Sequence, residues 1–168
     1  MLIRSERDTD KDLIWEFNAQ ACETQAEANL VNVLRGIGCK KISLVAEIGN
    51  KVVGYILFTP VELIGDENSL ELFGLAPMGV LPEYQKQGIG SELVKEGLKR
   101  CQSIACDAVV VLGHPNYYPK FGFVPSVQFG IKSEYEVPNE AFMILELVAG
   151  VLQNHTGVIK YHEAFNQL

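Results

Sequence analysis

No apolar run in this chain of 168 residues approaches the length of about 20 that a membrane-spanning helix needs. The longest, such as Ala108 to Leu112, fit a strand. The opening Met1-Leu2-Ile3-Arg4-Ser5-Glu6 turns polar at once and lacks the apolar stretch of a secretory leader. Cysteine is scarce: Cys22, Cys39, Cys101 and Cys106 are irregularly spaced and include no Cys-x-x-Cys pair. That excludes a disulfide framework and a zinc motif, and points to reduced thiols in a cytoplasmic protein without a metal. Basic charge is scarce as well. A formal net charge of −7 argues against general nucleic-acid binding; it suits an amine substrate, as it suits many acidic proteins. Internal repeats, low-complexity tracts and linkers are lacking. With 48% apolar and 21% charged residues, residues 1–168 read as a single globular domain.

The order of elements is mixed α/β (α+β). Leu2 to Ser5 suits a short strand. Asp10 is placed as a helix cap before Leu13, Ile14 and Phe17. A second helix is predicted over Thr24 to Arg35: Thr24-x-x-Glu27 has the capping-box spacing, and Ala26, Leu30, Val33 and Leu34 make the buried stripe. Gly36 and Gly38 end it. The segments Ser43 to Glu47 and Lys51 to Pro60, joined at Gly49-Asn50, read as an antiparallel hairpin. Leu70 to Leu75 is a further strand, interrupted near Pro77 with a bulge or splayed end.

The clearest helix covers Gly88 to Ser103. Ile89, Leu93, Val94, Gly97, Leu98 and Cys101 share one face, opposite Glu92, Lys95, Glu96, Lys99 and Arg100. Next comes the near-continuous apolar strand Ala108 to Leu112, as expected for a strand covered on both sides. Strand, helix, strand in this order implies a right-handed parallel crossover, with a ligand beyond the carboxyl ends of the strands. Ala141 to Leu147 and Gly157 to Tyr161 supply two more strands.

The residues Gln85-Lys86-Gln87-Gly88-Ile89-Gly90-Ser91 form a glycine-bracketed turn that feeds this helix. Amides at a helix start lack intrahelical partners, and with the helix dipole they offer a site to phosphate. Two common nucleotide loops are excluded. A Walker run, Gly-x-x-x-x-Gly-Lys-Ser/Thr, does not occur. The dinucleotide fingerprint needs a third glycine where Leu93 stands, and a strand running directly into the first glycine. What matches is Gln/Arg-x-x-Gly-x-Gly/Ala, filled by Gln85, Gly88 and Gly90 after Val80-x-Pro82-x-Tyr84. A Gly-x-Gly before a helix also occurs as a mere tight turn.

This stretch resembles the central acyl-coenzyme A motif of the GNAT superfamily of N-acetyltransferases. A second segment extends the likeness: Tyr117, Tyr118, Lys120, Gly122 and Phe123 match the aromatic-Tyr-x-Lys-x-Gly-Phe segment of many such enzymes, one helix and one strand later. The Pro-x-Tyr-Gln and Tyr-Tyr-x-Lys-Phe-Gly-Phe forms are most similar to a bacterial subgroup with largely unassigned substrates.

The resemblance implies a GNAT fold: a mixed sheet of about six to seven strands flanked by helices, with parallel strands splayed around the cofactor. It implies acetyl-CoA as cosubstrate and transfer to a primary amine by direct attack in a ternary complex. In that reading Gln85, Lys86, Gln87, Gly88, Ile89, Gly90 and Ser91 surround the pyrophosphate. Met78 and Val80 offer main-chain contacts to the acetyl and pantetheine groups, and Asn116 holds the pantetheine arm. Tyr118 acts as general acid to the leaving thiolate, against the plainer reading of an aromatic at a sheet edge. The family's usual base positions are here Ala76 and Gly74, which cannot titrate. Glu71 and His114 stand as weak base candidates, with Glu27 behind them; a water chain would serve equally. The cysteines are read as structural. The acceptor is a small-molecule or peptide amine, its choice set mainly by Asp10 to Arg35 and Val124 to Asn139, and many relatives form homodimers through late strands. The alternative is a non-catalytic acyl-CoA sensor or partner-binding domain.

Overall fold

The computed structural model describes residues 1–21, 26–36, 40–66 and 70–167. Thr24 of the proposed capping box, Gly38, Cys22 and Cys39 lie outside these residues, and so do the side chains of Phe17, Ala26 and Glu27. Two compact units are present: Met1–Thr59 with Ala76–Arg100 and Glu163–Leu168, and Pro60–Leu75 with Cys101–His162.

The first unit begins with β1 (Leu2–Ser5), α1 (Lys11–Ala21) and α2 (Ala26–Gly36), then β2 (Ile42–Ile48) and β3 (Lys51–Ile64) as far as Thr59. β1 pairs antiparallel with β2, and β2 with β3. The β2–β3 turn has positive φ at both Gly49 and Asn50, the geometry that a two-residue hairpin with right-handed twist demands. From Val53 to Thr59 every β3 residue is buried, because a central strand has cover on both faces. α3 (Ile89–Ser103) lies close on β3: a Cβ at Gly54 would fall 2.9 Å from Leu93 Cδ1 and 3.2 Å from Ile89 Cγ2.

Each helical stripe differs from expectation at one predicted residue, Val33 in α2 and Leu13 in α1. Val31 is buried at 2% exposure while Val33 is 48% exposed, and Leu13 is 51% exposed beside fully buried Ile14. Apolar residues crowd both helices, so spacing alone allows two faces. Leu30 and Leu34 are buried as predicted. Asp10 also departs from a simple cap. It ends a 3₁₀ turn (Asp8–Asp10), and its carboxylate accepts the Arg7 amide (2.6 Å) and both terminal nitrogens of Arg4 (2.6 and 3.0 Å). Arg4 also donates to Glu47 (2.8 Å). The Arg4 guanidinium holds the Asp10 carboxyl below its ordinary range, against the opposing effect of burial.

A depressed folded pKa gives stability that is present above the unfolded value, about 3.9, and is lost as pH falls through the folded value. Asp10→Asn is therefore expected to cost about 2 kcal/mol at pH 7. Thermal melts between pH 7 and pH 2 should show the variant's deficit shrinking below pH 4. A deficit independent of pH would contradict the ion-pair account.

In the second unit, the first part of β4 (Leu72–Val80) pairs in parallel with β5 (Ala108–Leu112), from Leu72↔Ala108 to Gly74↔Val110. β5 pairs antiparallel with β8 (Phe142–Glu146), and β8 with the two-residue β6 (Val124–Pro125). β9 (Gly157–Lys160) pairs with the end of β3 and with β7 (Ile131–Ser133). The strand order is β1-β2-β3-β4-β5-β8-β6, with β9 and β7 off this path, nine strands among the described residues. β6 and β7 bring the number above the expected six to seven; at two and three residues they are too short for alternation to reveal.

β4 also does not stop near Pro77. It continues to Val80, through a cis Ala76–Pro77 bond. Its pairing with β5 ends at Gly74, so proline's missing N–H lies beyond the rungs on that side. Among the described residues no helix is long and apolar enough to cross a membrane.

Candidate active site

After β4, the Leu81 amide donates to the Val53 carbonyl (2.9 Å), which fixes where the chain leaves the sheet. A 3₁₀ turn over Pro82–Tyr84 follows, and Gln85 resumes an extended backbone. Lys86 and Gly88 then take positive φ, +62° and +86°. The α3 ladder begins with Glu92 N–H donating to the Gly88 carbonyl (3.1 Å), so the Ile89 and Gly90 amides stand ahead of its first rung.

Residues Gln85 to Gly88 are exposed, whereas the Ile89 side chain is buried at 4%. Ile89 is thus an anchor in the core that can offer a ligand only its backbone. Gly88 owes its identity to conformation, because a Cβ there would meet nothing within 4 Å. The residues expected at the cofactor share a framework here. Gln85 Nε2 donates to the Val80 carbonyl (3.0 Å), and Gln87 Nε2 to the Glu83 carbonyl (3.2 Å). The two glutamine side chains brace the turn, a role that the motif spacing did not suggest. Met78 and Val80 are half-buried at the end of β4, and Lys86 adds an exposed positive charge beside the amides. Exposed amides, a helix start and a lysine can hold an anion as large as a diphosphate.

The second constellation follows β5. Tyr118 opens a 3₁₀ turn (Tyr118–Phe121) and is 7% exposed. Its ring lies on Gly113, where a Cβ would fall 2.4 Å from Tyr118 Cε2. Edge contacts with Tyr117 (5.0 Å between centroids) and Phe123 (5.7 Å) hold it. The Lys120 ammonium sits 4.1 Å over the Tyr117 ring. Burial, and secondarily the neighbouring Tyr117, push the Tyr118 phenol up to about 12. It therefore keeps its proton at every physiological pH.

The two base candidates are separated. His114, exposed, accepts the Tyr117 and Tyr118 amides on its carbonyl (3.1 and 3.5 Å), at the same end of β5 as Tyr118. Asn116 is exposed in the same loop. Glu71 lies at the other end of β5: its amide donates to Asp107 Oδ2 (2.8 Å) and its carbonyl accepts the Asp107 amide (2.8 Å). A five-residue strand, about 17 Å at 3.3–3.4 Å per residue, stands between that pair and Gly113. Glu71 is not brought to Tyr118. Glu71 stands at the amino end of its predicted strand, opposite the carboxyl ends where the ligand is expected.

Cys101 and Cys106 are free and buried at 0% and 2%. Their mutual hydrogen bond raises Cys101 and lowers Cys106, and Cys106 also donates to the Ala108 carbonyl (3.2 Å). Among the described residues no three His, Cys, Asp or Glu gather as a metal site.

Residues 40–125 match the family model for the acetyltransferase (GNAT) domain. Along 168 residues the chain is 36% identical to the N-acetyltransferase YhbS of Escherichia coli strain K12, covering 99% of each. The chain belongs to the GNAT family. A crystal structure of that family's YhbS from Escherichia coli, in complex with CoA, superposes with a TM-score of 0.93 over 98% of this chain and 91% of its own, at 36% identity. A GNAT acetyltransferase from Brucella melitensis in complex with acetyl-CoA gives a TM-score of 0.80 at 32% identity, covering 98% and 97%. This GNAT chain is thus an acetyl-CoA-dependent N-acetyltransferase.

Proposed function

We propose that this GNAT enzyme, as one domain over residues 1–168, transfers the acetyl group of acetyl-CoA to a primary amine by direct attack in a ternary complex. The observation that carries the reading is the turn at Gln85–Ser91, where exposed backbone precedes the first rung of α3. In it the diphosphate of acetyl-CoA rests on the amides of residues 87–91 beside Lys86. The Met78 and Val80 backbone runs along the pantetheine and acetyl groups, and Asn116 contacts the pantetheine arm. The amine lone pair attacks the thioester carbonyl carbon, the C–S bond breaks, and the nitrogen gives its proton to water or to His114. Tyr118 hydrogen-bonds the departing sulfur. The cytoplasm is the proposed compartment, supported by the free Cys101 and Cys106. A homodimer through late strands is part of the proposal, supported by the register partners Ile64 and Val158, which are 48% and 40% exposed.

A burial-raised phenol near 12 lies above an ordinary thiol at about 8.5, so complete transfer to the thiolate is uphill. The hydroxyl therefore works as a hydrogen-bond donor to growing negative charge, and the proton follows late.

Calorimetric titration with acetyl-CoA tests the turn, and thiol release across an amine panel tests the transfer. Gly88→Val is expected to raise the acetyl-CoA Kd about 5- to 30-fold. A side chain at φ +86° costs about 1–2 kcal/mol that the free turn avoids by shifting and binding must restore. Absence of any binding heat in the unmodified protein would overturn the proposal.

A further inference from the structure

We infer that the cavity between β7 and the start of β8 is the acceptor subsite, and that it takes an amino-acid-sized primary amine carrying a carboxylate and an apolar body. This inference rests on the acetyl-transfer reading and names its substrate class.

The cavity, about 200 Å³, is lined by residues of Ser126–Ile131, Lys132–Asn139 and Phe142. It lies below the roughly 300–1,000 Å³ of sites for drug-sized ligands, which leaves room for about the bulk of one amino acid. Two independent links tie it to Tyr118. The Gly113 amide donates to the Ala141 carbonyl (2.9 Å), and the Ala141 amide to the Pro138 carbonyl (3.0 Å), so two hydrogen bonds lead from the residue on which Tyr118 lies to Pro138 in the cavity wall. Phe123, in edge contact with Tyr118, leads through β6 to Ser126 in the lining. Ser126 is itself fixed by donating to the Ile131 carbonyl (2.7 Å).

The lining chemistry selects the class. Ile131, Val137 and Phe142 form an apolar wall, Lys132 brings a positive charge and Glu136 a negative one. A polyamine would set a second ammonium against Lys132, and a dicarboxylate would set a second anion against Glu136. A molecule with one amine and one carboxylate satisfies both. Glu136 gathers the protonated amine and Lys132 anchors the carboxylate. The apolar wall accepts the side chain.

The test uses the full chain saturated with acetyl-CoA. Thiol release is measured for L-phenylalanine, L-methionine and L-leucine against phenethylamine, 3-methylthiopropylamine and isoamylamine. The amino acids should win by at least tenfold in kcat/KM. Lys132→Met should raise KM for the amino acids about tenfold, keep kcat within about twofold, and leave the decarboxylated amines unchanged. Glu136→Gln should raise KM for both sets. Amide NMR shifts on adding L-phenylalanine to the CoA-loaded protein should centre on residues 126–142. Preference for the decarboxylated amines, equal effects of Lys132→Met on both sets, or no shifts in 126–142 would overturn the subsite. Acetyl-CoA binding without any of these effects would leave the transferase reading intact, and failure of acetyl-CoA to bind would remove that reading instead.

Discussion

Tyr118→Phe should lower kcat and kcat/KM together by about 10²-fold, with acetyl-CoA affinity unchanged. The substitution keeps the ring on Gly113 and its edges to Tyr117 and Phe123, so only the hydroxyl is lost and the fold should persist. General acids commonly contribute about 10²–10⁴-fold. The lower end applies because full proton transfer from a phenol near 12 is uphill; the hydroxyl acts mainly as a hydrogen bond that strengthens while sulfur departs. An interaction made only in the transition state reduces both constants equally.

The pH profile follows from the same shift. A phenol raised to about 12 stays protonated to well above pH 10, so kcat should show no alkaline limb from Tyr118 below about pH 11. An alkaline fall near pH 9 that disappears in Tyr118→Phe would contradict the burial account. A rise in KM with kcat preserved would assign Tyr118 to substrate binding. His114→Gln supplies the companion profile. Loss of the acid limb of the profile in that variant would identify His114 as the base, while an unchanged profile would leave the proton to water.

What the sequence made legible depended on whether local pattern carried the information. β1 and β5 have the bounds that were expected, and α3 begins one residue after its predicted start. A charged face opposite a buried one, and a run of four valine and alanine residues, leave little choice. The phosphate turn was legible for the same reason, since its glycines and helix start are adjacent in the chain. Val31 in place of Val33, and the exposed Leu13, mark where spacing admits two faces and tertiary packing chooses. The run of β4 past Pro77 depends on where its neighbour stops pairing, which is a non-local fact. Glu71, at the start of its predicted strand, was already on the end opposite the expected ligand. The cavity at Ser126–Phe142 comes from short strands and 3₁₀ turns without a motif, so its residues had only a region as their signal.

Gly97 shows how a position read only as part of a buried face can limit stability. A Cβ at Gly97 would fall 2.2 Å from Phe58 Cε2 and 2.4 Å from its Cζ. The Phe58 side chain is 0% exposed in the fully buried run of β3, so its ring has no solvent to turn into. Helix propensity alone would favour replacing a mid-helix glycine, by up to about 1 kcal/mol. Overpacking opposes it with about 1–3 kcal/mol or more, and two contacts this far inside van der Waals range put Gly97→Val at the upper end. The expected result is a loss of about 3 kcal/mol, or roughly 6–12 °C in Tm for a chain of this size. Phe58→Leu should itself cost stability by leaving space, yet in the double variant that space receives the new side chain. A coupling of at least about 1 kcal/mol between the two substitutions, measured by denaturant unfolding, is therefore expected. Additive losses would mean that α3 relieves the clash by moving bodily on β3, and acetyl-CoA binding at the Gln85–Ser91 turn should then weaken in the single variant as well.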